Sequence, residues 1–198
     1  MRRLFFILCL TWCLPLAAWA ESGADAEQAV RHVVDELTQV LKAREDSEVI
    51  SEKDMDAIHA ITGTYFDFRK MAKSSLAKNW KKLKPAQQDQ FVATFRMLLE
   101  RSYGGRLSGF QDQTVSYLGS KAEGDAMVVS TEVKGDDLSI PIQYKLHQKD
   151  HWLIYDIRVE GQSLGSTYRS DFKKVIKKKG FDGLMTVLQS KLDALKAN

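Results

Sequence analysis

Apolar residues recur along this chain with two different periods, and the switch between them divides it. Val30, Val33, Val34, Leu37, Val40 and Leu41 fall at i, i+3, i+4, i+7, i+10 and i+11, with Arg31, Asp35, Glu36 and Lys42 between them. That spacing predicts an amphipathic helix of about five turns. Ser51-Glu52-Lys53-Asp54 resembles a capping box opening a second, shorter helix through Ile61, which Thr62-Gly63-Thr64 brings to an end. In YFDFRKMAKSSLAKNW the apolar positions are Phe68, Met71, Leu76 and Trp80, and Asp67 is placed to cap a third helix. Pro85 suits a first helical position. After it, Phe91, Phe95, Leu98, Leu99, Tyr103, Leu107 and Phe110 hold one face for about seven turns. Gly104-Gly105 inside that helix cost about 1 kcal/mol each relative to alanine, so a bend or a close packing contact is expected there.

After Gly109 the period falls to two. TVSYLGSK, AMVVSTEVKG, LSIPIQYKLHQK and HWLIYDIRVEG alternate or are rich in β-formers, separated by Glu123-Gly124-Asp125, Gly135-Asp136-Asp137 and Lys149-Asp150. Four such runs with short turns predict an antiparallel meander. Two helices close the chain. The first runs from Ser163 or Ser166 to about Lys179 with Tyr168, Phe172, Val175 and Ile176 inward; Gly180 ends it, and Phe181, Leu184, Met185, Leu188, Leu192 and Leu195 line the second. With no repeat, linker or low-complexity stretch, the expectation is one α+β domain: a four-stranded antiparallel twisted sheet packed with about six helices.

The first twenty residues change the compartment. Arg2 and Arg3, an apolar run from Leu4, and Ala18-Trp19-Ala20 before Glu21 predict a signal peptide cleaved after Ala20, leaving a single domain over residues 21–198. The run is short for a membrane span, Pro15 breaks it, and no basic stop-transfer cluster follows. Cys9 and Cys13 both lie in this segment, and the indole of Trp12 argues against lipidation at Cys13. A periplasmic protein without thiols is expected. Removing two of 29 Lys plus Arg leaves 27 against 26 Asp plus Glu, a net charge of +1. Global charge therefore gives nucleic-acid binding no support.

Gly161-Gln162-Ser163-Leu164-Gly165 matches the G-x-S-x-G nucleophile elbow and follows a strand-like run. An elbow of that kind needs a histidine downstream, yet His32, His59, His147 and His151 all precede Ser163. The competing expectation is that Gly161 turns the chain off the last strand and Ser163 or Ser166 caps the next helix. Metal-binding spacings and phosphate loops are absent, and no cofactor is expected. Lys173-Lys174 and Lys177-Lys178-Lys179 form a basic cluster, which is either the solvated face of a helix or a contact for anionic headgroups or an acidic partner. What is left is an abundance of apolar side chains on a sheet and several helices. A long helix laid over a concave sheet can leave a cavity for an apolar ligand.

Three stretches in order, YFDFRKMAKSSLAKNW, QDQFVATFRMLLERSYGGRL and WLIYDIRVEGQSLGSTYRSDF, resemble the MlaC-type phospholipid-binding proteins, also labelled toluene tolerance proteins. The resemblance runs over nearly the whole mature chain and rests most on Asp67-Phe68 with Met71 and Trp80, Phe91 with Phe95, Trp152 with Asp156, and Gly161 through Phe172 including Tyr168 and Arg169. One departure is Ala77, where such proteins often carry glycine. The resemblance implies a monomeric periplasmic carrier that takes phospholipid between an outer-membrane lipoprotein-porin complex and an inner-membrane ABC transporter complex, maintaining outer-membrane lipid asymmetry. It also implies an apolar lipid pocket at or above about 1,000 Å³. Its candidate lining is Phe95, Leu98, Leu99, Tyr103 and Leu107 on the long helix, Val129, Ile140, Ile142, Tyr144, Ile157 and Val159 on the sheet, and Tyr168, Phe172, Leu184, Met185 and Leu188 behind. Two other classes stay open. One is a small enzyme of the cone-shaped α+β kind, for which Asp156 is the best acid if a shifted register separates it from Trp152. The other is a structural adaptor without a ligand.

Overall fold

The computed structural model describes residues 16–44, 46, 50–107, 113–135 and 138–196. Its elements are α1 (Leu16–Lys42), α2 (Glu52–Tyr65), α3 (Phe68–Leu76), a 3-10 segment (Ala77–Lys82), α4 (Pro85–Leu107), β1 (Thr114–Glu123), β2 (Ala126–Lys134), β3 (Ser139–Gln148), β4 (Trp152–Val159), β5 (Gln162–Ser163) and α5 (Leu164–Lys196). The fold is α+β, as the change of period implies. Among the described residues no helix is long and apolar enough to cross a membrane.

Local signals set most of the helix ends. The capping box at Ser51 is made in both directions, with the Asp54 amide donating to Ser51 Oγ at 3.2 Å and the Ser51 amide donating to Asp54 Oδ2 at 2.9 Å. Asp67 caps α3 through the Lys70 amide at 2.8 Å, and Pro85 opens α4. Gly180, with φ 69° and ψ −171°, breaks α5 where the sequence puts the boundary between two helices. Two limits differ from expectation. Helix α1 starts well before Val30, and its first turns contain the expected cleavage point after Ala20; residues 1–15 lie outside the described residues. Helix α2 runs through Thr62-Gly63-Thr64 to Tyr65. Gly63 serves there as a close approach, since a Cβ on it would lie 3.0 Å from Arg96 Nη2. Phe110, expected at the end of α4, lies outside the described residues.

Among the described residues Ala77 is the strained non-glycine position of the chain's first half. It terminates α3 with φ 48° and ψ −124°, a conformation that glycine adopts freely and L side chains resist. The departure from glycine noted at Ala77 therefore falls where the backbone asks for glycine.

The sheet is an antiparallel meander in the order β1-β2-β3-β4-β5. Its fifth strand is two residues long and pairs Arg158 with Ser163 and Val159 with Gln162. Glu160 and Gly161 between them both have positive φ, 50° and 78°, the requirement of a two-residue type I′ hairpin. A bulge interrupts the β3–β4 ladder: Lys145 pairs with Asp156 but Leu146 with Ile154, leaving Tyr155 as the extra residue. The Ile154 carbonyl next to it accepts the Asp67 amide at 2.8 Å, tying the start of α3 to the sheet.

Buried side chains fall into two clusters. One packs Ala26, Val30 and Val33 of α1 against Met127, Val129, Leu146 and Ile154 of the sheet. The other joins α3, the 3-10 segment, α4 and α5 through Leu76, Trp80, Phe91, Phe95, Leu98, Phe172, Leu184 and Leu188. Thus α1, not α4, is the helix laid on the sheet. Both carry apolar residues at helical spacing, which does not reveal which partner each finds.

Candidate functional site

Where the two clusters meet they leave a cavity of about 230 Å³. Helix α1 contributes Val33, Val34 and Leu37 and α2 contributes Ile58 and Thr62. Phe66, Phe68 and Met71 come from the α2–α3 junction and α3, and Leu99, Glu100, Tyr103 and Gly104 from α4. The sheet supplies Ile142, Tyr144, Ile157 and Val159, and Leu164 closes one side. The wall is almost entirely hydrocarbon and aromatic. Gly104 answers the expectation of a close contact, because a Cβ there would meet Met55 Sδ at 3.3 Å.

The β4 bulge decides which side chains face this space. Trp152 and Ile154 pack in the sheet-side cluster with Ile157, and Ile157 and Val159 line the cavity. The inward set therefore changes from even to odd positions across Tyr155, and Asp156 is turned away from it. Asp156 instead accepts the Ser163 hydroxyl at 2.7 Å and the Gly165 amide at 3.1 Å.

Those contacts explain the G-x-S-x-G match. Gly161 occupies the hairpin turn, Ser163 Oγ accepts the Ser166 amide at 3.1 Å as the cap of α5, and a Cβ on Gly165 would lie 3.4 Å from both Asp156 Oδ1 and Ser74 Oγ. Arg169 then donates to the Ser74 carbonyl at 2.9 Å, and Tyr168 meets Phe95 edge-on at 5.2 Å. The motif is a joint between β4, α3 and α5. One ring nitrogen of each of three histidines is engaged elsewhere, His59 at Glu100, His147 at Asp67 and His151 at the Thr64 carbonyl.

Of the polar side chains at the cavity, which are Thr62, Glu100, Tyr103 and Tyr144, two bear on its electrostatics. Glu100 is buried, and its carboxylate accepts Thr62 Oγ1 at 2.5 Å and Arg96 Nε at 2.7 Å, with His59 Nδ1 2.8 Å away. Thr62 and His59 secure α2 to α4, and Arg96, on α4 itself, also donates to the His59 carbonyl. A buried carboxylate needs such pairing, since an uncompensated one would cost several kcal/mol. Tyr144 is the second group: burial pushes its phenol up to about 12, against the lowering effect of its hydrogen bond with Thr131. It is a neutral hydroxyl at physiological pH.

Among the residues expected to line a pocket, the structure brings Leu99, Tyr103, Ile142, Tyr144, Ile157 and Val159 together around the cavity. Phe95, Leu98, Phe172, Leu184 and Leu188, with Tyr168 and Met185 packed against them, belong to the helical cluster instead. They fill the α4–α5 seam on the side of α4 away from the sheet. Val129 is fully buried under α1, and Ile140, opposite Val133, lies outside the cavity wall. The side chain of Leu107 lies outside those described. Missed from sequence were Val33, Val34 and Leu37, Ile58 and Thr62, Phe66, Phe68, Met71, Glu100 and Leu164. The α1 stripe was visible in the periodicity, but nothing local showed that it faces the sheet.

A family model described as MlaC protein matches residues 31–190. Toluene tolerance protein ttg2D of Pseudomonas putida is 27% identical over 131 residues, which cover 64% of this chain and 61% of that protein's length. The solved structure of a phospholipid-binding protein from Ralstonia solanacearum, in complex with a phospholipid, superposes with a TM-score of 0.80 at 27% identity, covering 87% of this chain and 99% of the other.

Proposed function

The chain belongs to the MlaC family, and from that membership and the cavity between its two clusters we propose that it is a phospholipid carrier. The observation that carries this reading is the apolar cavity itself, in a fold shared with a protein solved in complex with a phospholipid. Burying a methylene is worth roughly 0.8 kcal/mol, so two acyl chains of about thirty methylenes lose about 24 kcal/mol of stabilisation in water. An enclosed hydrocarbon wall is what lets a lipid leave a bilayer. The phosphate stays near solvent, because burying it unpaired is prohibitive.

At about 230 Å³ the cavity is far below the expected 1,000 Å³ and below the roughly 300 to 1,000 Å³ of ordinary ligand sites. Holding two chains requires its walls to separate. Helix α2 is the wall that moves most easily, since its buried residues are only Ile58 and Thr62 and polar contacts, through Glu100 and between Glu52 and Arg101, tie it to α4.

In the fuller reading, the signal peptide over residues 1–20 delivers residues 21–198 to the periplasm, where they act as a monomer without a cofactor. There the carrier exchanges phospholipid with an outer-membrane lipoprotein-porin complex and an inner-membrane ABC transporter complex, sustaining outer-membrane asymmetry. No covalent step is involved. Ile142→Asp and Leu99→Asp test the cavity assignment: each should lose co-purifying phospholipid while keeping the far-ultraviolet circular dichroism of the parent. Full lipid occupancy in both folded variants would place the ligand elsewhere.

A further inference from the structure

Positive charge is concentrated at one end of the molecule. From Lys73 to Lys84 there are five lysines and no carboxylate; from Phe172 to Phe181 there are five more and again no carboxylate. These ten, taken from 29 Lys plus Arg, leave 19 to set against all 26 Asp plus Glu, so the remainder of the chain is net −7 although the total is +3. The near-neutral total conceals this local concentration of lysine.

The fold joins the two segments. The first comprises the end of α3, the 3-10 segment and the approach to α4; the second is the part of α5 leading to the Gly180 break. They flank a groove of about 260 Å³ whose walls include Leu76, Lys82, Leu83, Ile176 and Phe181. All ten lysines are exposed. Among the described residues only Lys174 of the ten pairs with a carboxylate, that of Asp171 at 3.5 Å, and the neighbouring Asp89 is already engaged by Arg69. None of the residues lining the central cavity belongs to this pole.

We propose that this lysine pole is a docking surface for an anionic phospholipid bilayer. The choice of side chain points to lipid rather than to an acidic protein. Protein interfaces are enriched in arginine and depleted in lysine, because the guanidinium fork matches a carboxylate in a fixed geometry. Within the two segments every cation is a lysine, a hydrated point charge on a flexible stem, while the adjoining Arg69 and Arg169 are held by Asp89 and Ser74. A fluid sheet of phosphates asks for many such charges and no fixed geometry. Each lysine near an anionic leaflet is worth roughly a factor of five in binding. The half-buried Leu83, Ile176 and Phe181 give the groove an apolar floor that the upper acyl region can meet.

The test is co-sedimentation of the purified chain with vesicles of phosphatidylcholine alone or with phosphatidylglycerol at about a third of the lipid. Binding should require phosphatidylglycerol and fade as NaCl rises from about 50 to about 500 mM. Combined Lys177→Gln, Lys178→Gln and Lys179→Gln should weaken it roughly a hundredfold. The matched set Lys42→Gln, Lys53→Gln and Lys121→Gln, exposed lysines outside the pole, should change it less than about twofold. The cavity variant Ile142→Asp should still sediment, which separates surface docking from cargo uptake. No binding to anionic vesicles, equal loss in both triple variants, or loss in Ile142→Asp with the pole intact would overturn the proposal. So would capture of a polyglutamate peptide without vesicle binding, which would reassign the pole to an acidic protein.

Discussion

The Ser163 hydroxyl donates a 2.7 Å hydrogen bond to the Asp156 carboxylate and accepts the Ser166 amide as the first bond of α5. This pair holds the β4–β5 hairpin to the helix that follows. Ser163→Ala should therefore lower stability by about 1 to 2 kcal/mol and leave lipid uptake unchanged. Urea unfolding and a fluorescent-phospholipid uptake assay check the two halves. Loss of uptake in a fully folded Ser163→Ala protein would assign the hydroxyl a direct role.

Ala77→Gly should raise stability. With φ 48° and ψ −124°, alanine pays a conformational penalty of order 1 to 3 kcal/mol, partly offset by the greater unfolded-state freedom of glycine. A net gain of about 1 kcal/mol, read as a higher thermal midpoint, is expected.

Asp67 should make the fold acid-sensitive. Its buried carboxyl caps α3 and meets Lys149 Nζ at 2.6 Å and His147 Nε2 at 3.0 Å. Burial acts to raise its pKa, but the hydrogen bonds from Lys149 and the Lys70 amide hold it below the usual carboxylate range. Burial and the nearby Lys70 lower His147, so at neutral pH a neutral imidazole donates to the carboxylate. Because the folded pKa is depressed, the stabilisation is complete above about pH 4 and is lost as pH falls further. Asp67→Asn should cost about 2 kcal/mol at pH 7. The gap to the parent should close as the pH falls through the depressed pKa, in unfolding curves recorded across that range.

Glu100→Gln should loosen the wall between α2 and α4. It removes the charge that faces Thr62 Oγ1 and His59 Nδ1 of α2 while keeping an acceptor, and a loss of about 2 kcal/mol is expected. Phospholipid exchange between protein and vesicles should accelerate. Unchanged exchange in a destabilised Glu100→Gln protein would show that α2 is not the moving wall.

Local chemistry was legible in the sequence and tertiary choice was not. The capping box at Ser51, the cap at Asp67, Pro85 and Gly180 each act within one turn of themselves, so their residues suffice to place helix ends. The four alternating runs likewise give the meander. The side of β4 that faces inward changes across the Tyr155 bulge, beside the Ile154 carbonyl that accepts the distant Asp67 amide. No alternation rule could see that Ile157 and Val159 would join Trp152 and Ile154. Similarly, the apolar spacing of α1 and α4 does not say which of them lies on the sheet. Of the candidate lining on the helices, Leu99 and Tyr103 border the cavity, whereas Phe95, Leu98 and the α5 residues pack in the helical cluster.

Native mass spectrometry of the purified chain, followed by extraction and identification of whatever leaves with it, tests the central claim most directly. The account predicts a mass increment matching one phospholipid in near-stoichiometric amount, absent from Ile142→Asp. A chain that carries no lipid and takes none from vesicles would contradict it.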